Sequence, residues 1–146
     1  MTPAAMARLH AACFTSPRPW SEAEIADLLT SPLVFAIPES GGFAMGRAVA
    51  GEAELLTLAV DPGQRRQGIG AALLSGFLAE AKAREAERAF LEVNPDNDPA
   101  VSLYLKAGFT ITGRRKGYYH PPTGPALDAL IMDLRLQGSG GCPIPD

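Results

Sequence analysis

The chain has 146 residues, 47% of them hydrophobic, and a formal net charge of −3, which suits one domain with one ordinary core and leaves little room for a second. The charge shows no global basic bias that would call for nucleic acid or a membrane surface, although Arg114, Arg115 and Lys116 form a short basic cluster. No apolar run approaches bilayer length, the N-terminus lacks a signal core, and the two cysteines, Cys13 and Cys142, have neither CxxC nor zinc-type spacing, so a cytoplasmic protein with reduced thiols and no metal is expected.

In chain order, PAAMARLHAACF (3–14) places Met6, Leu9, Cys13 and Phe14 at helical spacing, with His10 expected beside that stripe. After a proline break at 17–19, Trp20-Ser21-Glu22-Ala23-Glu24-Ile25 reads as a helix start: Ser21 and Glu24 form a capping box and Trp20 and Ile25 a hydrophobic staple. Ser31-Pro32 stops that helix. LVFAI (33–37) and FAMGRAVAG (43–51) flank a Gly41-Gly42 turn and predict two hairpin-linked strands. ELLTLAV (54–60) is almost continuously apolar, the pattern of a strand covered on both faces.

Asp61-Pro62-Gly63 ends the strand, and a helix with an apolar stripe of Ile69, Leu73, Leu74, Phe77, Leu78 and Ala81 follows. AFLEV (89–93) predicts the next strand. In NPDNDPAVSLYLKAGF (94–109), Asp98 is placed to cap a helix, Pro99 suits its first turn, and Gly108 fits the left-handed position past its end. A strand over 109–113, an irregular loop over 113–125, and a last strand ALIMDL (129–134) complete the domain, leaving 137–146 as a weakly apolar tail.

The stretch from Glu54 to Leu74 holds the sharpest functional signal. A helix N-terminus leaves backbone N–H groups without intrahelical acceptors and carries a partial positive charge, so it receives an anion well. Gly68 and Gly70 allow close backbone approach, and Arg65 and Arg66 bring the charge that a diphosphate needs. The same pattern also fits a solvated basic turn with no ligand. A dinucleotide-binding fingerprint does not fit, because seven residues (61–67) separate Val60 from Gly68 and Leu73 stands where a third glycine belongs; a Walker loop lacks its Gly-Lys-Ser/Thr.

Arg65-Arg66-Gln67-Gly68-Ile69-Gly70 resembles the Arg/Gln-x-x-Gly-x-Gly/Ala signature of the GNAT superfamily of N-acetyltransferases. A second block agrees with it: Asn97, Ala100, Tyr104, Gly108 and Phe109 match N-x-x-A-x-x-x-Y-x-x-x-G-F. Within the superfamily, WSE (20–22), FLEV, GRRKGYY and DALIMDL resemble the bacterial ribosomal-protein alanine N-acetyltransferases. The resemblance covers about residues 3–136. It implies an α/β fold, with a mixed central sheet flanked by helices on both faces, over residues 1–136. It departs from the family in having no strand before the first helix and in placing Gly117 where a polar residue, often asparagine, precedes the paired tyrosines.

The resemblance also implies the chemistry. Acetyl-CoA would be the cosubstrate, its diphosphate at Arg65, Arg66, Gln67, Gly68, Ile69, Gly70 and Ala71, and its pantetheine along Leu58, Ala59 and Val60, with a backbone N–H at Val60 on the thioester carbonyl. Asn97 would contact the cosubstrate or simply cap its helix. Tyr104 would give a proton to the leaving sulfur, against the alternative of a plain core aromatic. Glu92 corresponds to the carboxylate base of the alanine acetyltransferases, with Glu54 as rival from the histone-acetylating relatives. Tyr118 and Tyr119 would line a peptide entrance or serve as packing. The implied acceptor is a protein N-terminus, the alanine of a small-subunit ribosomal protein, in a ternary complex. A free amino acid or small amine, or a noncatalytic acetyl-CoA-binding module, stand as alternatives.

Overall fold

The structure is a computed structural model that describes residues 1–14, 19–65, 67–119 and 124–136, apart from the side chain of Tyr119. Arg66, the proline break at 17, Cys142 and the tail at 137–146 lie outside the described residues. The elements are α1 (Pro3–Cys13), α2 (Glu22–Leu29), β1 (Val34–Glu39), β2 (Gly42–Val49), β3 (Glu52–Val60), a 3-10 turn (Pro62–Gln64), α3 (Ile69–Ala83), β4 (Arg88–Val93), α4 (Asp98–Lys106), β5 (Thr110–Tyr119) and β6 (Leu127–Arg135). No strand precedes α1 among the described residues.

Local chemistry explains three of the helix starts. The Thr2 hydroxyl accepts the Ala5 N–H at 3.1 Å ahead of Pro3. At α2 the capping box closes both ways: Glu24 N–H donates to Ser21 Oγ at 3.1 Å and Ser21 N–H to Glu24 Oε1 at 2.9 Å, satisfying two otherwise orphaned donors. Trp20 and Ile25 share one apolar cluster, as a staple requires. At α4 the cap is Asn97, whose Oδ1 accepts the Ala100 N–H at 3.3 Å, and Asp98 is the first helical residue, one position later than the cap expected of it.

Six strands form one sheet in the order β1-β2-β3-β4-β6-β5, antiparallel except where β3 meets β4. On one face α1 and α2 bury Met6 and Ile25 against Val34, Phe43, Met45 and Ala59. On the other, Leu73, Leu74, Phe77 and Ala81 of α3 and Tyr104 of α4 pack with Leu55, Leu91, Phe109 and Met132.

Two irregularities position everything that follows. Met45 pairs with Thr57 but Gly46 pairs with Leu55, so Leu56 is an extra residue in β3. Such a bulge shifts the alternation of side chains: Leu55 packs in the α3 core, whereas Leu56 and Ala59 join the α1/α2 cluster. The second irregularity is in the parallel pair. Only Glu52–Glu54 of β3 register with Arg88–Phe90 of β4, and the two strands then run on to Val60 and Val93 without pairing. The sheet therefore opens into a cleft between its two central strands.

β5 corrects the expected loop at 113–125. The strand continues to Tyr119, and between the pairs Arg115–Ala129 and Tyr119–Leu127 it advances four residues while β6 advances two. The sequence around Gly117 reads as loop because this segment is a strand with two surplus residues.

Candidate active site

The cleft mouth is built by the C-terminal end of β3, the turn at 61–68 and the N-terminus of α3. Asp61 Oδ1 accepts the Gly63 N–H at 2.8 Å and the Asp61 N–H donates to Gly41 O at 2.7 Å, tying this turn to the β1–β2 hairpin. Gly68 sits at φ +77° immediately before α3, a left-handed conformation that glycine adopts without strain. Of the four α-helices among the described residues, α3 starts with no side-chain cap and no acidic residue in its first turn, whereas α1, α2 and α4 each have an oxygen cap. Its first N–H groups are thus offered to an outside anion. A Cβ placed on Gly68 would meet nothing within 4 Å, so the approach to these donors is open. Arg65 and Gln67 are exposed beside them, as is Ala71, and Ile69 and Gly70 are half-buried. These residues fit a diphosphate.

The end of β3 and α4 both meet this turn. A Cβ on Gly70 would lie 3.4 Å from Leu103 Cδ2 and 3.9 Å from Val60 Cγ2, so the glycine turn, the end of β3 and α4 are in mutual contact. Leu58 and Val60 face the α3 core while Ala59 is buried on the opposite face. The half-buried Cys13 thiol donates to Val60 O at 3.2 Å, a link from α1 to the cleft mouth. Tyr104 is 6% exposed, with its ring edge-on to Phe109 at 5.9 Å. Asn97 is exposed and held by its capping bond, which is compatible with a ligand contact as well.

Glu92 alternates with Leu91 and Val93 and so lies on the sheet face away from α3 and α4. Its Oε2 is 3.3 Å from Arg115 Nε, and its side chain is 21% exposed. Glu54 is the next carboxylate along: it registers with Phe90, two residues before Glu92, inside the paired part of β3, and is held by Arg47 at 2.9 Å. The structure thus places Glu92 beside the opened cleft and Glu54 before the opening. Tyr118 is exposed, with the Arg115 guanidinium 5.0 Å from its ring centroid. Tyr119 ends β5, opposite Leu127.

Gly117 has φ +64°. This accounts for its departure from the family pattern, since glycine and asparagine are the residues that enter the left-handed region most readily. Asp128 locks the surplus residues of β5: its Oδ1 accepts the Gly117 N–H at 3.0 Å and its Oδ2 receives Arg114 Nε at 2.7 Å. These bonds, that from Arg114 first, hold the Asp128 carboxyl below its ordinary range.

Sequence reasoning also missed how His10 works. It lies within the buried stripe, 2% exposed, stacked between Phe14 at 4.4 Å and Trp20 at 4.8 Å. The Trp20 backbone N–H donates to Nδ1 at 3.1 Å, so the neutral ring carries its proton on Nε2, which donates to Thr57 Oγ1 at 3.1 Å. Burial lowers its pKa from 6.5 to about 4, against the weaker opposing effect of the Glu24 carboxylate. The signal available in the sequence was a histidine on a helical apolar stripe facing a strand that contains one threonine.

Comparison with known proteins agrees with this geometry. The family described as the acetyltransferase (GNAT) family matches residues 4–109. The [ribosomal protein bS18]-alanine N-acetyltransferase of Escherichia coli K12 is 38% identical over 122 residues, covering 81% of this chain and 82% of that protein. The N-alpha-acetyltransferase RimI of Mycobacterium tuberculosis is 35% identical over 122 residues, covering 77% and 75%. The crystal structure of the E. coli ribosomal-protein-S18-alanine N-acetyltransferase superposes with a TM-score of 0.76 at 32% identity, over 91% of this chain and 86% of that one.

Proposed function

Because this chain belongs to the GNAT family of acetyltransferases, we propose that it acetylates the N-terminal alanine of a ribosomal small-subunit protein in the cytoplasm. The observation that carries the reading is the conjunction of the opened β3–β4 cleft, the uncapped glycine turn at its mouth and the Glu92–Arg115–Tyr118 cluster beside it. The names of the relatives supply the acceptor class.

Acetyl-CoA supplies the activated acetyl group. Gly68, Ile69, Gly70 and Ala71 hold its diphosphate through backbone N–H groups, the sequence adds the charge of Arg65 and Arg66 and the polar Gln67, and Leu58, Ala59 and Val60 line its path. Asn97 contacts the same cosubstrate from the start of α4. Glu92 accepts the proton of the N-terminal amine, directly or through one water; that amine has an ordinary pKa of about 7.7–8.0, against about 10.4 for lysine, and needs only modest help. As the new C–N bond forms and the C–S bond breaks, Tyr104 gives its proton to the departing sulfur, a direction of transfer that suits a phenol of ordinary pKa about 10 next to a thiol of about 8.5. Tyr118 and Tyr119 receive the first residues of the acceptor.

The test is thiol release from acetyl-CoA with an alanine-leading peptide, repeated with progressively shorter peptides and with free alanine. Turnover that falls as the peptide shortens supports a peptide groove. Equal turnover on free alanine, or acetyl-CoA binding without release, rejects the reading.

A further inference from the structure

Arg115 has no role in the chemistry above, yet it makes the contact that organises the acceptor side. It sits on β5 opposite Ala129 of β6, and β6 lies between β5 and β4. With strands spaced about 4.8 Å apart, β4 is nearly 10 Å away. The Arg115 side chain crosses that strand to put Nε 3.3 Å from Glu92 Oε2. The same guanidinium lies over the Tyr118 ring at 5.0 Å. Its neighbour Arg114 is committed elsewhere, to Asp128 at 2.7 Å, and Asp128 in turn pins Gly117, which fixes where the surplus residues of β5 leave Tyr118. Arg115 and Glu92 are 53% and 21% exposed, and an ion pair of that kind adds little to stability. What it contributes is orientation: a planar cation can bond through its edge and stack through its face at once, which an ammonium cannot do.

We propose that Arg115 is a positioning residue for acetyl transfer, fixing the Glu92 carboxylate and the Tyr118 ring relative to one another so that the second carboxylate oxygen meets the amine of an acceptor lying against Tyr118. The role rests on Glu92 being the base. The strand of Arg115, β5, is separated from β3 and the glycine turn that follows β3 by β6 and β4, so the role leaves acetyl-CoA binding untouched.

The experiment is a double-mutant cycle on the full chain with an alanine-leading peptide. Arg115→Met lowers kcat/KM for the peptide about tenfold, mostly through kcat, with acetyl-CoA affinity and thermal midpoint unchanged; Arg115→Lys recovers only part of the loss. In the Glu92→Gln background, Arg115→Met has no further effect. Arg115→Met within twofold of the parent, full rescue by lysine, or losses that multiply in the double variant each overturn the role while leaving Glu92 as base. Full activity of Glu92→Gln withdraws the base assignment itself, and the role of Arg115 with it.

Discussion

His10 Nδ1 accepts the Trp20 backbone N–H while its Nε2 donates to the Thr57 hydroxyl, each at 3.1 Å, so one buried imidazole joins α1, the entrance to α2 and the bulged part of β3. The arrangement requires a neutral ring, because a proton on Nδ1 would face the Trp20 N–H. In the folded protein the pKa is lowered to about 4, below the ordinary 6.5, so the unfolded chain binds the proton first. Stability is therefore complete above pH 6.5, falls as pH drops toward 4, and the contribution levels off below that. After allowance for solvent screening the change is on the order of 2 kcal/mol. Urea midpoints measured between pH 7.5 and 4 check it. Replacing His10 with Phe should flatten this slope while costing about 2 kcal/mol at neutral pH, because the Trp20 N–H and Thr57 hydroxyl lose their partner.

Gly117 separates residue types by backbone conformation alone. Its φ is +64° and a Cβ there would find Ala126 Cβ at a comfortable 3.7 Å, so space is no obstacle. Gly117→Asn should keep peptide KM within about twofold, whereas Gly117→Val should raise it about tenfold and cost more than the ~1–2 kcal/mol of an ordinary residue held left-handed. Steady-state kinetics and thermal melts of the two variants side by side provide the check.

Gly46 tests space instead. A Cβ would fall 2.6 Å from both Phe35 Cζ and Phe77 Cε1, two buried rings stacked at 5.9 Å. Gly46→Ala should cost about 1–3 kcal/mol by overpacking. Unchanged denaturant midpoints would show that the rings have room to part.

Tyr104→Phe keeps the edge-on contact with Phe109 and removes only the hydroxyl. Thermal midpoint should hold within a few degrees while kcat drops about a hundredfold, the low end for a general acid. Replacing the thioester with one whose thiol leaves more readily should shrink that loss.

Where the sequence was informative, each signal was local. The Ser21/Glu24 box closed as read, and Asn97 to Phe109 delivered a helix with Tyr104 in the core. Arg65 to Gly70 put an uncapped helix start at the cleft mouth. The misses have one physical cause. Leu56 in β3, Thr112 in β5 and the two surplus residues before Tyr119 change strand register, and each single extra residue moves the later side chains to the other face. Thr57 meeting His10, Asp128 meeting Gly117 and Arg115 reaching Glu92 all depend on those shifts, and no spacing within one segment encodes them. For α4 the sequence offered both Asn97 and Asp98 as caps, each a good capping residue, and the structure uses Asn97.

Three residues of parallel pairing are a short weld for the two halves of a sheet. Past Glu54 and Phe90, the backbone groups that β3 and β4 would have exchanged face a gap instead of each other. A molecule seated there acts as a splint, so occupancy and rigidity are linked: saturation at a hundred times Kd adds about 2.7 kcal/mol to the folded state. Amide hydrogen exchange should register this unevenly, with acetyl-CoA slowing Leu55 to Val60 far more than the already welded Glu52 to Glu54.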